Sequence, residues 1–346
     1  MTMETVTRDD WQLLFEAALA FKERAPWTDI PDAHYFAMTD PAGGETVYCV
    51  VLGNGGIDYG LNVYYGPNAA HYLQELTGGT SGPLAGDDRE FDLSTQAVTV
   101  SFEDRQQLEK EDYELIRSLG YKFRGANAWP AFRNYVPGQP SWLPNREQVL
   151  LLAAGLEQAS GVWERHRAQK GAPKGQEQRL HLVPHPDGNG GIVWSEEWQP
   201  WHLPGKLQLD GPPYEYPGEF RLKQAAAKAK AKLDEVWEAD YGYAPVPVAD
   251  ADGRAIYPRL LLWANGDNGM ILGVKLAEPA DCRALFVEQL LDLLEAAGGK
   301  PAHIDVASRK AYQALKPSAD KLGIAIRLNP QAAALLHARE AIESGM

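Results

Sequence analysis

Hydrophobic and polar positions at the start of the chain follow a helical period. Trp11, Leu14, Phe15 and Ala18 form one apolar stripe, Thr7 stands at the cap, and Asp9 and Asp10 complement the dipole of the first turn. Pro26 ends the run. The pattern then shifts to short β-branched and aromatic runs, "HYFAMTD", "TVYCVVLG" and "IDYGLNVYYG". These are joined by the turn-formers "PAGGE" and "NGG", which predicts three antiparallel strands. A short helix "PNAAHYLQEL", a strand "AVTVSFE", a helix over 108–119 and an extended stretch "YKFRGANAWPAFRNYVPG" follow. A long helix opens at Asn145, in capping-box spacing with Gln148, and carries the stripe Leu152, Leu156, Ala159 and Trp163.

The far end repeats this order. A helix "FRLKQAAAKAKAKLDEV" leads into the strand "WEADYGYAPVPV" and a hairpin of "RLLLWA" with "MILGVKL" across "NGDNG". The helix "DCRALFVEQLLDLLEAAGG" buries Val287, Leu290, Leu291 and Leu294 and ends on glycines. Strand "AHIDVAS", helix "RKAYQALKPSADKLG" with Pro317 as a break point, strand "IAIRLN" and a last helix complete it. Asn329 and Pro330 are the expected cap and first position of that last helix. Both halves read β-β-β-α-β-α-β-α, although residue identity between them is slight. The expected fold is therefore α/β, with mixed sheets in two tandem domains, 1–170 and 219–346. Between them, 171–218 is rich in Pro, Gly and Trp and reads as a connector with a small β element, "RLHLVP" against "IVWSEEW".

Composition narrows the setting more than the chemistry. The 346 residues are 45% hydrophobic and 23% charged, enough for two packed cores. A net charge of −14 disfavours unspecific binding to nucleic acid or to anionic membrane. "MTMETVTRDDWQLLF" lacks the basic and apolar regions of a signal peptide, and no apolar run reaches about 18 residues, so a cytoplasmic protein is expected. Cys49 and Cys282 lie far apart in apolar segments and read as two reduced, buried thiols.

A resemblance emerges from longer stretches. "WQLLFEAALAF", "VTVSFEDRQQL" and "FRGANAWPAFRNYVPG" in the first half resemble a bacterial family in which one domain of unknown function precedes another. "YPRLLLWANGDNGMILGVKLAEP" and the two strand–helix units after it resemble the second of those domains. The resemblance implies membership and carries no activity with it.

Six groups of residues are candidates for chemistry or binding. The glycine cluster Gly53, Asn54, Gly55 and Gly56 looks like a phosphate loop, but Asp58 stands where a dinucleotide fingerprint needs its last glycine and a strand follows, so a hairpin tip is expected. "GTSGP" around Ser81 misses the nucleophile-elbow pattern at its fifth position. His181 and His185 in "HLVPH" stand about 13 Å apart along an extended strand, too far for one metal unless a bend brings in Asp187 or His202.

The order of the second half is that of the ribonuclease-H-like fold, whose enzymes hold Mg²⁺ or Mn²⁺ on carboxylates of the first strand, the fourth strand and a neighbouring helix. Asp240, Asp305 and Glu340 or Glu343 occupy those places, whereas Glu288, Asp292 and Glu295 read as a solvated stripe. "DVAS" lacks the Asn-Gly common after such an aspartate. In the first half Asp40 sits in a turn, and Glu103 and Asp104 read as helix caps. Basic residues gather near the connector, with Lys228 and Lys232 on one helical face with Arg221, and Trp194, Trp198 and Trp201 cluster beside them. The leading expectation is a non-catalytic protein that binds a protein partner or serves as a scaffold, without a cofactor. A metal-dependent nuclease or its inactive relic, and a nucleic-acid-binding module, stand as alternatives.

Overall fold

The computed structural model describes residues 5–32, 34–76, 88–168, 178–189, 191–200, 212–249 and 253–345. The chain divides into two compact units, one built from residues 1–82, 95–137 and 141–207, the other from 83–94, 138–140 and 208–346.

In the first unit, α1 (Arg8–Arg24) starts from a reciprocal box. The Thr7 hydroxyl accepts from the Asp10 amide, and the Asp10 carboxylate accepts from the Thr7 amide. Strands β1 (Tyr35–Thr39), β2 (Thr46–Leu52) and β3 (Gly60–Tyr64) pair antiparallel in sequence. After α2 (Ala69–Leu76) the chain contributes α3 (Asp88–Ser94) to the second unit. It then adds β4 (Ala97–Glu103), α4 (Lys110–Leu119), β5 (Trp129–Tyr135) and α5 (Arg146–Ala168), followed by β6 (Gln178–Pro186) and β7 (Ile192–Pro200). The expected box at Asn145 forms in both directions with Gln148. The sheet runs β5-β4-β3-β2-β1-β6-β7, and β1 with β6 is its one parallel pair. The hairpin expected within the connector thus extends the first sheet beyond β1. Phe15 and Phe21 of α1 and Leu152 and Leu156 of α5 cover this sheet and close the core on Phe36, Cys49, Leu61 and Val63.

The second unit contains α6 (Glu219–Lys228), β8 (Ala231–Lys232), β9 (Val236–Tyr243), β10 (Val248–Ala249), β11 (Ala255–Ile256), β12 (Arg259–Asn265) and β13 (Ile271–Ala277). Then come α7 (Cys282–Ala297), β14 (Gly299–Lys300), β15 (His303–Val306), α8 (Arg309–Leu322), β16 (Ile326–Leu328) and α9 (Ala333–Gly345). Its main sheet runs β13-β12-β9-β15-β16, antiparallel on the hairpin side and parallel from β9 onward. Alternate residues face opposite ways. Trp237, Ala239, Tyr241 and Trp263 pack with α7 and α8, whereas Leu262 and Ala264 pack with Ala334, Leu335 and Ala338 of α9.

The two units share an order of elements but place them differently. In the first, β4 joins the sheet beside β3 and antiparallel to it; in the second, β15 crosses over to lie parallel to the first strand, β9.

Three local expectations need correction. The predicted helix at 220–236 stops at Lys228, because the chain must extend for β8 to pair with β14 before entering β9. Lys232 therefore lies on a strand and does not share a helical face with Lys228. Pro317 does not interrupt α8. It cannot donate to the Gln313 carbonyl one turn earlier, and that carbonyl accepts instead from the Tyr214 amide at 3.0 Å. Asn329 and Pro330 form a turn ahead of α9, with Asn329 Oδ1 accepting from the Gln331 amide. The N-terminus of α9 is served by Glu238, whose carboxylate accepts from the Leu335 amide at 3.0 Å.

Gly60 marks the tightest backbone approach in the first sheet, since a Cβ there would sit 1.9 Å from the Val100 carbonyl oxygen. Gly60→Ala is expected to destabilise the first unit by about 3 kcal/mol, read as a lower urea midpoint for unfolding; an unchanged midpoint would contradict this packing.

Candidate functional site

The glycine loop after β2 does gather backbone amides around a negative charge, and the charge belongs to the chain. Asp32 Oδ1 accepts from the Gly53 and Asn54 amides at 2.9 and 2.8 Å, and its Oδ2 accepts from Gly55 at 2.9 Å. Asn54 also donates to the Trp27 carbonyl, and Gly53 holds φ +127° between Trp27 and Tyr59. The loop is thus a hairpin connection stabilised by an internal carboxylate.

The carboxylates singled out in the second half lie on the α9 face of its sheet. Asp240 and Glu238 alternate along β9, and Asp305 stands opposite Glu238 in parallel register. Asp240 is 4% exposed and doubly bound: the Ser308 hydroxyl donates to Oδ1 at 2.5 Å and Arg339 of α9 donates to Oδ2 at 2.7 Å. Asp305 Oδ2 accepts from Asn329 at 2.9 Å, and its Oδ1 lies 3.4 Å from His303 Nε2. Glu340 is exposed on α9, and the side chain of Glu343 lies outside the described residues. The structure therefore brings Asp240 and Asp305 to one face, gives each its own partner, and leaves Glu340 in solvent. Among the described residues, no group of three or more His, Cys, Asp or Glu side chains could hold a metal ion.

His181 is buried, with Nε2 bonded to the Thr39 hydroxyl and Nδ1 to Gln199 Oε1, both at 3.0 Å. His185 is exposed and meets Ser195 at 2.7 Å. Asp187 accepts from the Asn189 and Gly191 amides and so closes the β6–β7 turn. His202 and Ser81 fall outside the described residues, as does Trp201.

Trp194 is half-buried against the first core, while Trp198 is 44% exposed. The basic and acidic stripes prove to be partners. Arg221 on α6 pairs with Glu288, Asp292 and Glu295 of α7, and Lys228 reaches Glu295 at 2.8 Å. Lys232 is exposed on β8.

A second cluster lies on the opposite face, at the carboxyl end of β9. Arg259 Nη1 donates to both oxygens of Glu90 at 2.7 and 2.8 Å, and Lys310 Nζ lies 2.8 Å from Glu90 Oε2. The guanidinium sits 3.5 Å over the Tyr243 ring and the ammonium 5.5 Å from the centre of the Tyr241 ring. Burial opposes ionisation of Glu90, but Lys310 and Arg259 outweigh it and hold the carboxyl below its usual range. Burial also raises the Tyr241 hydroxyl and both cysteine thiols, Cys49 and Cys282, so none of them is an activated nucleophile.

The sequence of the first half matches a domain of unknown function, DUF7309, over residues 11–183, half of the chain. The chain belongs to the DUF7309 family. A second domain of unknown function, DUF6930, matches residues 222–343. No curated protein matches the chain. The DUF7309 match includes Glu90, whereas both of its cationic partners lie within the DUF6930 match.

Glu90 escaped the sequence reading because "DDREFDLS" carries no apolar period and lies far from Arg259 and Lys310. Arg339 escaped it because a basic residue on a last helix is ordinary until its partner is known. Glu90 ionises at lower pH in the folded chain than at its ordinary value of 4.5, so its contribution is complete above that value and is lost as the pH falls through the folded value. Glu90→Gln is expected to cost about 3 kcal/mol at neutral pH, with the deficit shrinking below pH 4.5. Urea unfolding of both proteins across that range checks it, and a gap independent of pH would contradict the assignment.

Proposed function

We propose that this DUF7309 protein is a non-catalytic, cytoplasmic binding protein whose second unit is a ribonuclease-H-like frame with its carboxylate face closed by internal ion pairs. The observation that carries the reading is the Arg339–Asp240 bond. A two-metal nuclease needs a negative side chain from the last helix beside the first-strand aspartate, and here that helix supplies a guanidinium. The strand order β13-β12-β9-β15-β16 supports the frame, because the hairpin strands flank β9 on one side and the two parallel strands on the other. Glu238 and Asp305 support the closure, since a helix amide and Asn329 occupy them.

Binding of a protein partner is supported by β13, the edge strand on the hairpin side. Ile271, Val274 and Leu276 are each more than 40% exposed there, as is Leu336 on α9. The two free cysteines suit a reducing compartment. Among the described residues no helix is long and apolar enough to cross a membrane.

The reading is tested by a double-mutant cycle and a cleavage assay on the same proteins. Asp240→Asn and Arg339→Met should each lose about 3 kcal/mol of stability, with the double variant losing less than the sum. The intact protein should leave labelled RNA and DNA uncut in Mg²⁺ or Mn²⁺. Metal-dependent cleavage that vanishes in Asp240→Asn would replace this proposal with the nuclease.

A further inference from the structure

We propose that Arg259 and Lys310 form a binding site for a phosphate group, occupied in this structure by the Glu90 carboxylate of the same chain. The proposal is independent of the reading of the Asp240 face, which lies on the other side of the sheet.

The cluster stands at the carboxyl end of β9 and at the first turn of α8, which follows directly from the parallel strand β15. Open α/β sheets take their ligands at this end of parallel strands, next to helix N-termini.

Glu90, Arg259 and Lys310 have side chains 12%, 15% and 17% exposed, so among the described residues two largely buried cations face one carboxylate. Lys310 and Arg259 both act on Glu90, so among the described residues the cluster holds one positive charge more than it has negative. The nearest acidic neighbour on α7, its cap residue Asp281, is exposed. A dianion would balance what Glu90 only halves, and a phosphate monoester or free phosphate has that charge.

Arg259 Nη1 and Lys310 Nζ converge on one oxygen, Glu90 Oε2, each at 2.8 Å. Both cations are backed by tyrosine rings, so they remain aimed at that point when the occupant changes. Glu90 itself is not delivered by the sheet or its covering helices. It comes on α3, a seven-residue helix tied to this unit through the Leu93 carbonyl, which accepts from the Gly138 amide, and through Ser94 at Tyr243. A ligand phosphate can therefore replace one side chain while the cations and their supports stay in place.

The test uses the full chain in phosphate-free buffer, with inorganic phosphate, adenosine monophosphate and adenosine as probes. In Glu90→Gln, phosphate or the monophosphate should bind about tenfold more tightly than to the unmodified protein. The same ligands should raise its unfolding temperature where chloride of equal ionic strength does not. The response should disappear when Lys310→Met is added. Tighter binding of the nucleotide than of inorganic phosphate identifies a phosphomonoester as the ligand, and equal binding identifies free phosphate. If Glu90→Gln does not fold without ligand, recovery of native circular dichroism on adding phosphate supports the site. Binding unchanged from the unmodified protein, a response matched by chloride or adenosine, a response that survives Lys310→Met, or no recovery of fold overturns it.

Discussion

Asp240 lies in the central strand of a sheet with helices on both faces, and its charge has to be answered from within the protein. An isolated carboxylate in that position would cost several kcal/mol. Arg339 and Ser308 answer it, and doing so ties three elements together: β9, the start of α8 and the middle of α9. Ser308 also caps α8 by accepting from the Ala311 amide, so one hydroxyl both orients a helix and serves a buried charge. Glu238, two residues earlier on the same face, binds the start of α9. The last helix is therefore held by charge at its N-terminus and again at Arg339, with the apolar contacts of Leu335 and Ala338 between.

The same economy runs through the second unit. A basic helix faces the most acidic one, so Arg221 and Lys228 of α6 pair with the carboxylates of α7 and leave less of the charge that looked like a nucleic-acid footprint. Pro317 follows a related logic in the backbone. It withholds a donor from its own helix, and the segment entering the unit supplies one through Tyr214.

Most elements could be read from residue patterns because their signals are local. The stripe Trp11, Leu14, Phe15 and Ala18 is buried as its spacing requires, and Asn145 and Gln148 cap each other as their separation implies. What escaped depends on distant partners. The Ala- and Lys-rich run after Gly218 has high helix propensity to Lys232, but pairing of β8 with β14 overrides it. The aspartates could be placed on strands from pattern alone; that Arg339 would meet Asp240, or that α3 would join the second unit, could not, because nothing near those residues announces the meeting. The loop at Gly53 is intermediate. Its turn chemistry was legible, while the carboxylate that fills its amides came from Asp32, 21 positions earlier.

The strand β6, which completes the first sheet beside β1, brings His181 to Thr39 across 142 positions of sequence. Glu90 waits for Arg259 across 169. On a ribosome these intervals are times. The N-terminal strands leave the tunnel with one edge still open, and α3 emerges carrying a charge whose counter-ions are synthesised roughly 8 to 44 s later, at about 5–20 residues per second. Order of synthesis, as much as stability, is therefore written into a chain whose second compact unit takes a helix from early in the sequence.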